Sequence, residues 1–316
     1  MNGMTAAPKK KPASAQKNTS AHSLLWPAAV LIGAGMIAAA IVFAPQRASP
    51  PAAEPAPKAA APAIYTNDIP RTTTPMGDMT QLFEHRIFSV KDENGNGHDL
   101  NYYFYAPEKP YPPGLKFPLV MVLHGAPGNA YAAQVLAANA AMRIKYPAFI
   151  VVPVLPTNKT WSFPQNFPED VPLKAYFMNK EQDLPDAVAV IRNLSAQYPV
   201  DTDRVYAIGC SEGGTGVYGA LRDHPDIFAA GVAISGLWTQ ADAAQLTRRP
   251  LTIMHGALET EAPVQLARAM AQQIKARGGK VQYVEMPEMG VECPSMVYYS
   301  ATTWNWLFMH KKPAAR

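Results

Sequence analysis

Apolar positions fall into two patterns along the second part of the chain. Short unbroken blocks, at 118–123 (PLVMVL), 148–154, 204–208, 228–235, 251–254 and 281–284, leave little or no polar alternation. A strand covered on both faces requires such blocks. Between them lie segments with helical spacing, at 131–144, 183–197, 212–222, 262–277 and 298–309. Strands alternating with helices predict an α/β domain with a mainly parallel, doubly wound sheet. Ahead of this series, 83–90 and 100–105 read as strands, and the stretch between them holds two Asn-Gly pairs. Asn-Gly between such runs favours a hairpin, so the first edge is expected to be antiparallel.

Upstream the pattern changes. Residues 24–44 carry no charge, and the run is close to the ~20 residues a helix needs to cross a bilayer. It is longer than the apolar core of most cleaved signal peptides. We therefore read 1–23 as a basic cytoplasmic tail, 24–44 as a transmembrane anchor, 45–72 as a Pro/Ala-rich linker and 73–316 as the folded domain. Lys9, Lys10, Lys11 and Lys17 precede the span, and only Arg47 and Lys58 follow it closely. That asymmetry predicts a single pass through the inner (cytoplasmic) membrane with the domain on the periplasmic, extracytoplasmic side. The six prolines of 45–63 favour an extended spacer.

Composition narrows the function classes. Of 316 residues, 48% are hydrophobic and 16% charged, which excludes a disordered chain. The 28 Lys and Arg exceed the 24 Asp and Glu by the four lysines of the leader (28 − 4 = 24), so the folded part carries no basic excess and no nucleic-acid partner is expected. Two cysteines exclude a cysteine-rich scaffold and a four-cysteine zinc site. No motif calls for a metal or any other cofactor, and none is expected.

The candidate chemistry lies in Gly209-Cys-Ser-Glu-Gly213, a G-x-S-x-G set between a predicted strand and a predicted helix. In that setting the serine sits on a sharp turn, its hydroxyl exposed at the carboxyl edge of the sheet, and the flanking glycines allow close backbone approach. Ser211 is the candidate nucleophile. The N–H of Glu212 would be one oxyanion donor. The second is expected from the loop 124–128, at Gly125 or Ala126, since Pro127 has no N–H; we favour Ala126. His124, in the same loop, is a candidate for the substrate pocket, and a packed loop histidine rather than a base.

These segments resemble the α/β-hydrolase superfamily, especially secreted esterases of the polyhydroxybutyrate-depolymerase, feruloyl-esterase and dienelactone-hydrolase type. The resemblance rests on Tyr105-Ala-Pro107, on PLVMVLHG at 118–125, on VDTDRVY at 200–206, on GCSEGG at 209–214 and on HPDIFAA at 224–230. It implies an α/β-hydrolase fold over roughly 98–312, with a small-molecule ester or acyl substrate.

The resemblance also implies a catalytic acid after the strand at 251–254. Glu259 stands where the family has Asp, and Glu261 is the alternative. It implies a histidine in the loop 286–295, but by spacing Val291 occupies that place, with Glu292 next. Valine accepts no proton. The other histidines offer no clean substitute, and a carboxylate base at Glu292 or Glu212 would need a strongly raised pKa. In the related tannases and feruloyl esterases a Cys-Ser pair bonds a His-Cys pair across the site. Here that implies a bridge between Cys210 and Cys293, with two buried thiols as the alternative. The Pro- and aromatic-rich stretch 155–181 follows a central strand and should border the pocket, with Trp161 and Phe163 either on its wall or packed within the loop. Three functional readings follow: an anchored extracytoplasmic serine esterase, a peptidase-like serine hydrolase, and a catalytically degraded relative that binds a ligand or envelope partner.

Overall fold

The computed structural model describes residues 82–91, 97–125, 130–167, 171, 173–293 and 296–313. The expected tail, anchor and linker lie outside these residues. No described helix is long and apolar enough to cross a membrane.

The strands are β1 (Glu84–Lys91), β2 (Gly97–Tyr105), β3 (Phe117–Leu123), β4 (Phe149–Pro153), β5 (Lys159–Thr160), β6 (Glu181–Gln182), β7 (Val200–Cys210), β8 (Ala230–Ile234), β9 (Leu251–Gly256) and β10 (Val281–Met286). The helices are α1 (Tyr131–Ala138), α2 (Ala140–Lys145), α3 (Lys174–Met178), α4 (Leu184–Gln197), α5 (Glu212–Asp223), α6 (Val264–Ala276) and α7 (Ala301–Phe308). Eight strands form one sheet in the order β1-β2-β4-β3-β7-β8-β9-β10. Pairs from β4 onward along that order are parallel, whereas β1–β2 and β2–β4 are antiparallel. The expected mainly parallel sheet with an antiparallel leading pair is what forms.

Successive strand residues feed opposite layers. Leu119, Met121 and Leu123 of β3 enter one core with side chains of α4, α5 and α6. Val120 and Val122 enter the other, with α1, α2 and α7. Both faces of the central strands are covered, which is why these strands read as continuous apolar runs.

Two segments differ from expectation. The helical pattern 131–144 breaks at Asn139, whose side chain accepts from the N–H groups of Ala141 and Met142 at 2.9 and 3.3 Å and so starts a second helix. The stretch 155–181, which shows no periodicity, contains a two-stranded sheet, β5 with β6, and the short helix α3.

Candidate active site

β7 ends at Cys210 and α5 begins at Glu212, leaving Ser211 alone in the turn with φ 57° and ψ −122°. A non-glycine residue held there costs ~1–3 kcal/mol and persists only where its surroundings dictate it. Here they do. The Ser211 N–H donates to the Ile234 carbonyl at 2.9 Å. A Cβ on Gly213 would overlap the Leu123 carbonyl oxygen, so only glycine lets α5 seat against β3. Gly125 approaches from the other side: a Cβ there would stand 2.8 Å from the Cys210 carbonyl oxygen and 3.1 Å from the Ser211 Cβ. The oxyanion loop thus lies directly against the candidate nucleophile. Of its two candidate donors Gly125 is described, while Ala126 lies outside the described residues.

Two cavities meet beside this turn. One, of about 140 Å³, is lined by Ser211, Glu212, Ser235, Glu259 and Val291 among others. A second, of about 560 Å³, is lined by His124, Gly125, Leu155, Lys159, Lys180 and Glu212 among others. Glu212 and Tyr176 belong to both walls. The expected acid, the expected base position and the candidate nucleophile therefore share one cavity.

The acid is not poised on an imidazole. Oε1 of Glu259 accepts the N–H of Glu261 at 2.8 Å and that of Ala262 at 3.5 Å, closing its own loop. Val291 is 42% exposed, and the neighbouring Glu292 is exposed as well. His124 is the one histidine on the walls of these two cavities, and both its nitrogens are engaged. Its Nε2 accepts from the Leu155 N–H at 2.9 Å, and its Nδ1 lies 3.0 Å from the Gly125 carbonyl oxygen. Burial lowers its pKa below the ordinary histidine value, so the ring stays neutral with its acceptor already used. His255, at the end of β9, is buried, with Nδ1 3.0 Å from the Gly256 carbonyl oxygen, and lines neither cavity.

Trp161 and Phe163 both take the packed alternative, and neither lines the two cavities. Trp161 is fully buried at 0% exposure in the main core, donates to the His124 carbonyl oxygen at 2.8 Å and packs where Gly216 leaves room. It lines neither cavity, because its indole fills the space under α5. Phe163 packs with Val171, Phe177, Leu237 and Ala262 in a small separate cluster. Tyr176 is the aromatic residue of this segment that lines both cavities, and no local pattern marks it. Its hydroxyl donates to Oε2 of Glu212 at 2.9 Å, and burial, foremost, raises the phenol so that it remains a donor.

Cys210 and Cys293 form a disulfide with a Cα–Cα distance of 5.7 Å, across 83 residues. It fixes the residue before Ser211 to the loop that carries Val291.

One group among the described residues could hold a metal: His98, Asp183 and Asp186. The Lys159 ammonium already sits there, 2.5 Å from Asp183 and 3.6 Å from Asp186, so the cluster carries its own cation.

Residues 173–244, from α3 through the nucleophile turn, match the prolyl oligopeptidase family of serine peptidases. A protein described as an esterase, NocK of Nocardia uniformis subsp. tsuyamanensis, is 30% identical over 143 residues, 43% of this chain and 38% of its own length. The chain thus spans well under half of that relative. The structure is similar to a thermostable esterase, with 27% identity, a TM-score of 0.61 and coverage of 72% of this chain and 63% of that one. It also superimposes on an acylaminoacyl peptidase of Pyrococcus horikoshii at 17% identity and a TM-score of 0.53, covering 74% of this chain and 43% of that one. A ferulic acid esterase gives 15% identity and a TM-score of 0.51, covering 72% of this chain and 99% of that one. The eight-stranded sheet, the strained serine between β7 and α5 and these likenesses together show an α/β-hydrolase fold, similar to that of esterases and peptidases.

Proposed function

We propose that this chain binds carboxylic esters or related acyl compounds in the cleft at Ser211 and holds them without efficient turnover. One observation carries this reading: the cavity shared by Ser211 and Glu259 presents Val291 where a base is needed, and His124 has no free nitrogen. A serine hydroxyl becomes a nucleophile only with a base in hydrogen-bond reach. The features that bind an acyl group do not depend on that base. They are the turn at Ser211, the approach of Gly125 and the two adjoining cavities. The apolar run 24–44 and the lysines before it support a placement at the outer face of the cytoplasmic membrane.

The test is fluorophosphonate labelling of the full chain in detergent, read by intact mass beside Ser211→Ala. The expected result is no adduct on the time scale that labels active serine esterases, together with saturable binding of a short acyl ester. Rapid labelling that vanishes in Ser211→Ala would sink the non-hydrolytic reading. Hydrolysis is the second reading, and the strain kept at Ser211 favours it. Under it, Ser211 attacks the ester carbonyl, the N–H of Glu212 and one from the 124–128 loop hold the oxyanion, and a carboxylate takes the proton. The names of the relatives, esterases and peptidases alike, are compatible with either.

A further inference from the structure

We propose that the compound held beside Ser211 carries an N–H donor, an ammonium or amide group, that pairs with Glu212. This rests on the reading that the cleft binds acyl compounds.

Glu212 follows the candidate nucleophile directly and lines both cavities, so a ligand with its carbonyl at Ser211 sets its substituents against this side chain. The residue is 7% exposed. Tyr176 satisfies Oε2, but Oε1 is buried and has no hydrogen-bond partner. Native structures rarely leave a buried carboxylate oxygen without a donor, because its lost hydration is returned by nothing. The nearby cations do not supply one. Lys159 is held by Asp183 and Asp186. The Lys180 ammonium lies 3.9 Å over the Tyr176 ring and does not bond Oε1 of Glu212. Glu212 also occupies the first turn of α5, where the helix N-terminus favours a negative charge. The site is therefore an acceptor with one oxygen that no donor of the protein meets. A plain hydrocarbon ester would leave that oxygen without a donor, whereas an ester or amide with a nitrogen on the carbon next to the acyl carbon would bring one to it. The ligand class is amino-acid-like acyl compounds and not simple fatty esters.

Two probes with one skeleton separate these cases: phenylalanine methyl ester and methyl 3-phenylpropanoate, which lacks the nitrogen. Each is titrated calorimetrically into the full chain in detergent at about pH 6, where the amine is charged. Mass spectrometry checks that the esters stay intact. The nitrogen-bearing ester is expected to bind at least ~10-fold tighter, and Glu212→Gln should bring the ratio to within about threefold. Tyr176→Phe leaves the second oxygen wanting a donor as well, so the ratio should hold or widen.

A ratio near one in the native chain, or one that survives Glu212→Gln, overturns the inference and leaves the acyl-binding reading standing. Absence of binding by both esters up to about 10 mM overturns that reading and the inference with it. Should Glu212→Gln fail to melt cooperatively, Tyr176→Phe decides: a ratio collapsing to one in a folded variant is the contrary result.

Discussion

Replacing Val291 by histidine should convert a binding cleft into a hydrolase. The loop that carries Val291 is held on both sides. Cys293 is bonded to Cys210, and the Met289 carbonyl accepts the Leu258 N–H at 2.9 Å beside the Glu259 turn. Val291 is 42% exposed, so a larger ring has room on the solvent side of a cavity it shares with Ser211 and Glu259. The backbone bonds at Glu259 use Oε1, which leaves Oε2 to accept an imidazole N–H. A positioned general base contributes ~10²–10⁴-fold, equal to ~2.7–5.5 kcal/mol of barrier. In the assay, Val291→His should raise kcat/KM on 4-nitrophenyl acetate by at least ~100-fold. Adding Ser211→Ala should abolish the gain, and adding Glu259→Gln should reduce it. The gained activity should rise with pH through about 6–7 as the imidazole loses its proton, an inflection the native chain should not show. A folded, disulfide-bonded variant with no gain would refute the argument, as would a native chain already as active as the variant.

The disulfide offers a second test. Closing an 83-residue loop should stabilise the fold by about 4.5 kcal/mol on a chain-entropy estimate. Cys210→Ala with Cys293→Ala should then lower the melting temperature by roughly 10 °C or more, and a shift below about 3 °C would contradict it. Gly213→Ala should cost at least ~3 kcal/mol, since the new Cβ would overlap the Leu123 carbonyl oxygen. Gly114→Ala serves as its control. With φ +78° and open space around it, that change should cost only ~1 kcal/mol of backbone strain, and equal losses at the two positions would undo the close-packing account. His124, His224, His255 and His310 are all held below the ordinary value of 6.5 by burial. The unfolded chain therefore binds more protons as pH falls through about 6.5, and stability present above that value is progressively lost below it. Melting temperatures at pH 5 and pH 7.5 should show the drop; a protein equally stable at both would count against it.

The sheet was legible because its strands are covered on both faces, so 118–123 and 251–254 spell themselves as unbroken apolar runs. Ser211 was legible because a turn this tight needs glycine on either side. The break at Asn139 could have been read from the sequence: an asparagine inside a helical pattern is a poor interior residue and a good cap. The roles of Trp161 and Tyr176 were not readable. Both lie in 155–181, where no period distinguishes an aromatic ring that fills the core from one that walls a cavity. Only the packing of that segment against α5 decides between them. The Cys210–Cys293 pairing came from resemblance, because partners 83 residues apart leave no local trace.

That contrast bears on what the nucleophile turn means. The shape at Ser211 is enforced by backbone: Gly213 against Leu123, Gly125 against Cys210, the Ser211 N–H on Ile234. Each of these contacts also joins β3, β7, β8 and α5 at the centre of the sheet. Substituting any one would cost the fold whether or not the protein catalyses anything. The strained serine can therefore persist for structural reasons alone. A base differs in kind: it is one side chain on a partly exposed loop, and nothing in the core depends on its identity. A chain released from the need to turn over its ligand would lose the base first and the turn last. Ser211 intact with Val291 in the opposing loop is the combination that the non-hydrolytic reading requires.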